Sequence, residues 1–231
     1  MGIVVVTGSE SGIGAAAAAA LTATGYEVVG WDVASAHPVD VGDETEVRTA
    51  AGRLGGQVDG AVLAAGVSRM ARLVDTTKDD WDYQMRVNAY GVFNTMRALI
   101  PTVRPGGSIV AVASVAGLRS APLLSAYCAS KFAVIALVQA AAIELGPVGI
   151  RVNAVCPMYV RTPMEEREIG WEAAMRGISP EEIMAGYING TPLGRVAEAA
   201  DIADVISFLV SDRSRYMTGA SVTISGGADL L

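Results

Sequence analysis

The sequence predicts an α/β fold: a single domain over 1–231, built on a doubly wound parallel sheet of about seven strands with helices on both faces. Three observations carry this expectation. Short β-branched runs alternate with helical stretches from one end of the chain to the other. The strand candidates are apolar almost without interruption, as strands covered on both faces must be. Glycine and proline punctuate the joints, at Gly25, Pro105-Gly106-Gly107, Gly146-Pro147 and Gly226-Gly227. No internal repeat or linker divides the chain.

Ile3–Thr7 is the first strand: it is apolar, has no basic region before it, and stops at Thr7-Gly8, so it does not read as a signal peptide. A helix over Ile13–Ala23 follows, and its alanines, strong helix formers with small side chains, let it lie close to the sheet. Glu27–Trp31 is the second strand. The seven residues from Val33 to Val39 cannot hold a crossover helix, so the chain is expected to run as a loop to Val39-Asp40-Val41. Further on, helices are expected at Glu44–Arg53, Lys78–Ile100, Tyr127–Leu145 and Ala199–Val210. They alternate with strands at Gly60–Ala64, Ser108–Ala113, Ile150–Val155 and Ala220–Ile224. One stretch, about 163–191, breaks the alternation. It mixes Met164, Trp171, Met175, Met184 and Tyr187 with glutamates, and short helices forming a substrate lid are expected there, with an oligomer contact as the alternative.

Composition removes several classes of function. The chain of 231 residues, 52% hydrophobic and 18% charged, is long and apolar enough for a sizeable core, and no run is expected to cross a membrane. A net charge of −7 with no basic stripe argues against nucleic acid as a partner. Cys128 and Cys156 give neither a disulfide framework nor metal spacing, and His37 stands alone, so no metal is expected. A cytoplasmic protein is the expectation.

The chemistry gathers in three places. Thr7-Gly8-Ser9-Glu10-Ser11-Gly12-Ile13-Gly14 joins a strand to a helix, the context in which glycines admit a pyrophosphate to the helix N-terminus. The second strand ends at Asp32, placed to accept hydrogen bonds from a ribose diol and to repel a 2′-phosphate. No Arg or Lys lies in residues 1–47 to offset that repulsion, so NAD(H) is expected over NADP(H). The third place is Tyr127-Cys128-Ala129-Ser130-Lys131, in a chain with only two lysines against fifteen arginines. One helical turn puts the phenol and the ammonium on one face, and a compact ammonium with rotating donors is not replaceable by a guanidinium there.

Together these segments resemble the short-chain dehydrogenase/reductase family, and the resemblance covers essentially the whole chain. The glycine turn at 7–14 is similar to the family's, as are Leu63-Ala64-Ala65-Gly66, Asn88 in Val87–Gly91, Ser114 in Ala113–Gly117, and Arg151–Thr162. Tyr216–Gly219 through Gly226-Gly227 also follows the family pattern. The resemblance implies a Rossmann-type fold and a catalytic set of Asn88, Ser114, Tyr127 and Lys131. Tyr127 is then the general acid/base, Ser114 holds the substrate oxygen, Lys131 tunes the phenol and fixes the nicotinamide ribose, and Asn88 positions a water. A free phenol with a pKa of about 10 must be lowered by two to three units for this work, roughly 3–4 kcal/mol. Cofactor-binding residues are expected at Gly8, Ser9, Ser11, Gly12, Ile13, Gly14, Asp32, Asp40, Val41, Ala65, Gly66, Tyr127, Lys131, Pro157, Val160 and Thr162. Of these, Asp40 is expected to meet the adenine amine. The resemblance also implies a homotetramer in which Lys78–Ile100 and Tyr127–Leu145 pack across a symmetry axis.

Ala64 and Met158 depart from the family pattern, which has asparagine and glycine there. Val115, Leu118, Leu124, Met158, Tyr159 and Met164 are expected to line an apolar substrate pocket. That lining suits an apolar or alicyclic secondary alcohol or the matching ketone. Two alternatives stay open. The shortened second crossover and Ala64–Met70 are similar to 2,3-dihydro-2,3-dihydroxybenzoate dehydrogenases, which would make Arg69 or Arg119 a carboxylate ligand. The other alternative is a catalytically silent NAD-binding regulatory protein.

Overall fold

A computed structural model describes residues 2–230. Six parallel strands form the central sheet: β1 (Ile3–Thr7), β2 (Glu27–Trp31), β3 (Val58–Leu63), β4 (Val103–Val112), β5 (Arg151–Pro157) and, last in the chain, Ser221–Ile224. Two short strands, β6 (Val160–Arg161) and β7 (Ala197–Glu198), pair parallel to one another outside it, so the strand at Ser221–Ile224 is β8. The order across the sheet is β2-β1-β3-β4-β5-β8. The chain leaves β1 toward β2 and then returns to pair β3 on the other side of β1. That reversal of direction opens a crevice at the carboxyl ends of the strands.

Two apolar layers cover the sheet. On one face Val4, Val6, Val62 and Val110 pack against Ala17 and Leu21 of α1 (Gly12–Ala23) and against Ile202, Ile206 and Leu209 of a helix at Ala199–Val210. On the other, Val5, Ala61, Ile109 and Val152 meet α2 (Glu44–Gly52), Met96 and Leu99 of a helix at Gly91–Leu99, and Val134 and Val138 of a helix at Ser125–Leu145. Small residues set how closely the layers approach. A Cβ added at Gly14 would stand 2.0 Å from the Gly8 carbonyl oxygen, and one at Gly60 2.1 Å from that of Ser108.

Six strands, not about seven, make up the central sheet, and the reason lies after β2. Val39 and Val41 are buried, but they pack as a loop. The Val39 N–H donates to the Asp32 carbonyl at 3.1 Å, and Asn94 Nδ2 donates to the Val41 carbonyl at 2.9 Å. With too few residues for a crossover helix, this segment closes back on β2 and adds no further strand. The expected helix over Lys78–Ile100 is three pieces: α3 (Lys78–Gln84), a π-helical stretch at Met85–Tyr90, and α4 (Gly91–Leu99). Thr77 caps α3, accepting from the Asp80 N–H at 3.1 Å.

The remaining helices are α5 (Ser125–Leu145), α6 (Pro163–Arg176), α7 (Pro180–Asn189) and α8 (Ala199–Val210). The interrupting segment at about 163–191 is therefore a helical pair, α6 and α7, with Ile169, Ala173 and Ile183 forming its own small core. Thr162 caps α6, and Ser179 with Glu182 forms a reciprocal capping box on α7. Contrary to the composition-based expectation, one stretch, Ser125–Val148, is long and apolar enough to cross a membrane, with a mean hydropathy of 1.6. The fold uses it as the helix beside β5.

Candidate active site

The crevice is a cavity of about 970 Å³ running from the glycine turn to α6 and α7. At one end lies the start of α1. Ser11 gives α1 no side-chain cap, and the first intrahelical bond is from the Ala15 N–H to the Ser11 carbonyl at 3.1 Å. The N–H groups ahead of it therefore face the cavity unspent, with the positive end of the helix dipole behind them. Gly8 and Gly12 have φ of 69° and 52°. A Cβ at Gly8 would meet the Ala65 backbone at 2.9 Å, so only glycine fits this approach. Thr7 Oγ1 accepts from the N–H groups of Ala64 and Ala65 at 3.0 and 3.1 Å. Its hydroxyl thus ties the glycine turn to the loop after β3, a role sequence reasoning did not assign.

Asp32 stands at the end of β2, its carboxylate held by the N–H groups of Ala34 at 2.9 Å and Glu10 at 3.1 Å. Asp40 also lines the cavity, with one oxygen paired to Arg86 Nη1 at 2.7 Å and the other accepting from the Gly42 N–H at 2.8 Å. The ion pair with Arg86 was hidden in the sequence because the partners are 46 residues apart. All the expected cofactor residues line the cavity except Ser9. Its hydroxyl is buried without a partner against Gly30, where an added Cβ would lie 2.5 Å away.

Tyr127 and Lys131 project from α5, and Ser114 begins the short turn after β4. Lys131 is buried; its Nζ donates to the Val112 carbonyl at 2.9 Å and sits 5.5 Å from the centre of the Tyr127 ring. Burial lowers the Lys131 ammonium from 10.5 to about 8, with small opposing pulls from Cys156 and Glu168. Tyr127 moves the opposite way to the catalytic requirement. Burial and then the Glu168 carboxylate push the phenol well above its ordinary value, while the Ser114 hydroxyl draws it down. The chain's own groups thus keep Tyr127 protonated, and the lowering that catalysis needs must come from positive charge brought to the site.

Asn88 lies behind the cavity wall, fully buried in the π-helical stretch. Its Oδ1 accepts from the Val67 N–H at 2.8 Å, and its Nδ2 donates to the Val67 carbonyl at 2.9 Å and to Ser130 Oγ at 3.0 Å. The amide therefore joins the loop after β3 to the catalytic helix. A Cβ on Gly66 would lie 3.4 Å from Asn88 Oδ1 and 3.6 Å from Lys131 Nζ, which shows how tightly the three converge.

Val115, Leu124, Met158, Tyr159 and Met164 line the substrate end as expected; Leu118 does not, and is exposed. Tyr159 stacks on Tyr187 of α7 with ring centres 4.0 Å apart. Two residues other than glycine with left-handed backbones, Tyr159 (φ 47°) and Leu123 (φ 68°), both border this end, where strain is held by the packing around it. Arg119 reaches the cavity and donates to the Ala228 carbonyl at 3.2 Å. Arg69 does not. Its guanidinium lies 5.3 Å from the Tyr83 ring and 5.5 Å from Trp171, outside the lining, which removes it as a carboxylate ligand. The apolar expectation for this end was incomplete. Glu165, Glu168 and Glu172 also face it from α6, and the sequence does not show which lid glutamates point inward until the docked face of α6 is known.

A family model described as "Enoyl-(Acyl carrier protein) reductase" matches residues 7–229. A short-chain dehydrogenase/reductase of Armillaria gallica is 34% identical to this chain, over 97% of it and 95% of the relative. The chain belongs to the short-chain dehydrogenase/reductase family. The oxidoreductase UcpA of Salmonella typhimurium is 33% identical to it, over 97% of this chain and 93% of that one. The crystal structure of a levodione reductase superposes with a TM-score of 0.92 at 30% identity, covering 99% of this chain and 97% of the other. This chain is therefore an oxidoreductase, of a family that uses nicotinamide cofactors.

Proposed function

We propose that this short-chain dehydrogenase/reductase prefers NAD(H) and interconverts a secondary alcohol with its ketone, on a substrate whose body is apolar or alicyclic. The observation that carries the reading is the convergence of Ser114, Tyr127 and Lys131 on one cavity with the glycine turn and Asp32. The residues fit a dinucleotide: the uncapped start of α1 and the backbone of Ala65 and Gly66 would hold its phosphates and nicotinamide half, and the Asp32 carboxylate its adenosine ribose diol. When bound, the nicotinamide accepts or delivers the hydride. Tyr127 exchanges the hydroxyl proton at its phenolic oxygen, and Ser114 Oγ donates a hydrogen bond to the same substrate oxygen. Lys131, fixed by Val112, holds positive charge beside the phenol. Asn88 sets the position of the loop at Gly66 and Val67 against α5.

Support for NAD(H) comes from Asp32 and from Arg86, a cavity-lining cation that Asp40 already engages. The dihydrodiol-carboxylate alternative now rests on Arg119 alone. A cytoplasmic homotetramer is part of the same reading; the tetramer is supported by the exposed aromatic side chains of Tyr90, Phe93 and Phe132 on the helices the family pairs. Steady-state kinetics test it: kcat/KM with NAD is expected to exceed that with NADP by at least tenfold, and equal values would overturn the role of Asp32. Tyr127→Phe is expected to lower kcat by about 10²–10⁴-fold while NADH titration stays unchanged. NADH binding without turnover on an alcohol and ketone panel, unaltered by Tyr127→Phe, would establish the regulatory alternative instead.

A further inference from the structure

Two carboxyl groups at the substrate end make no salt bridge among the described residues. Glu165 and Glu168 lie one turn apart on α6 and both line the cavity. Glu165 is only 7% exposed, and its Oε2 is buried without any hydrogen-bond partner. An acid in the first turn of a helix favours the helix dipole, but that does not require a buried, unpaired oxygen. Glu172, the third carboxylate on this face, is already satisfied by Arg176 at 2.7 Å and the Tyr187 hydroxyl at 2.6 Å.

The surroundings make the vacancy of partners specific. Around Glu165 stand Glu168, Arg161 and the Val160 N–H. Around Glu168 stand Ser68, Arg167, Glu172 and Lys131. Ser68 is itself buried, and its hydroxyl lies close enough to pull on Glu168 while meeting no partner in good hydrogen-bond geometry. Among the described residues no group of three or more His, Cys, Asp or Glu side chains is arranged to hold a metal ion. Arg161, Arg167 and Lys131 act on the two carboxyls from around them, but none donates a hydrogen bond to the buried Glu165 Oε2, and a ligand donor in the cavity can.

We propose that Glu165 and Glu168 form a subsite for a protonated amino group on the substrate, so that the alcohols taken are amino alcohols, and the ketones amino ketones. The inference rests on the alcohol/ketone reading above and narrows it. Placement favours an ammonium over a neutral hydroxyl. Burial raises both carboxyls, helped at Glu165, which reaches about 8, by Glu168 and at Glu168 by Glu172, and the Glu168 charge opposes ionisation of Tyr127. Near neutral pH Glu165 holds a proton, which the arrival of an ammonium displaces. A neutral donor leaves that charge in place; an ammonium cancels it. The same cation that binds would then ease the deprotonation of the catalytic phenol.

The test compares 2-, 3- and 4-aminocyclohexanol with the matching methylcyclohexanols and cyclohexanediols, in the wild type, Glu165→Gln and Glu168→Gln. At least one aminocyclohexanol is expected to exceed its methyl counterpart in kcat/KM by about 10- to 100-fold in the wild type, as suits a hydrogen bond to a charged group. That ratio is expected to collapse toward one in either variant. A wild-type ratio at or below one, or the same preference shown by a diol, overturns the inference and leaves the alcohol reading standing. Calorimetric titration of cyclohexylamine against cyclohexylmethanol, with and without NADH, reads the subsite without turnover. Tighter binding of the amine that both variants abolish supports the subsite even if no alcohol is oxidised, an outcome that would sink the alcohol reading alone. Equal binding of the two probes overturns the subsite.

Discussion

Replacing Lys131 with methionine is expected to make the ligand-free protein more stable while destroying its activity. The buried ammonium is held at about 8 against an ordinary 10.5, which corresponds to about 3 kcal/mol working against the charged form at neutral pH. Methionine has nearly the same volume and length, so packing changes little. The substitution also removes the bond to the Val112 carbonyl, a loss of about 1–2 kcal/mol when the acceptor is left unpaired. The balance is a gain of about 1–2 kcal/mol, or roughly 2–8 °C in Tm for a domain of this size. The sign with pH is fixed. Between pH 8 and 10.5 the unfolded lysine binds more protons than the folded one, so the wild type gains stability as pH rises through that window. Calorimetric melts of both proteins at pH 7 and pH 10 read the effect: the advantage of the variant must be larger at pH 7. A variant less stable than wild type at pH 7, or an advantage indifferent to pH, would refute the view that Lys131 is held charged at the expense of the fold.

Lys131→Arg keeps the charge, yet it is expected to lower kcat/KM by about 10²-fold or more, because the larger planar guanidinium must fit a buried space in which the ammonium donates to the Val112 carbonyl. Near wild-type turnover would contradict that packing argument. Glu165→Gln is expected to stabilise the protein above pH 8 and to change little near pH 5. The folded carboxyl, raised mainly by burial and next by Glu168 against Arg161, holds its proton up to about pH 8, so stability is lost as pH climbs from 4.5 through 8. Melts of both proteins across that range check the prediction.

Most of the fold was legible because its signals are local. β1 and β2 begin and end where the apolar runs do, and α8 matches its expected bounds to the residue. The glycine turn and the Tyr127–Lys131 spacing were legible for the same reason: each depends on neighbours within one turn of chain. What stayed hidden depends on distant partners. The π-helical break at Met85–Tyr90 holds Asn88, whose amide reaches Val67 and Ser130, partners 21 and 42 residues away. Val39–Val41 has the alternation of a strand, but the short connection fixes it against Asn94 before it can extend the sheet. The Asp40–Arg86 pair and the inward face of α6 depend on elements that meet only in the folded chain.

The helix that carries the catalytic pair is unusual in how a lysine sits within its apolar length. Ser125–Val148 has the length and hydropathy of a span. Val134 and Val138 pack into the core beside β5, while Phe132 and Ile143 stay exposed. A lysine inside such a segment adds up to about 3 kcal/mol to the free energy of placing it in hydrocarbon. The residue that costs the folded protein stability thus also raises the cost of placing its own helix in hydrocarbon.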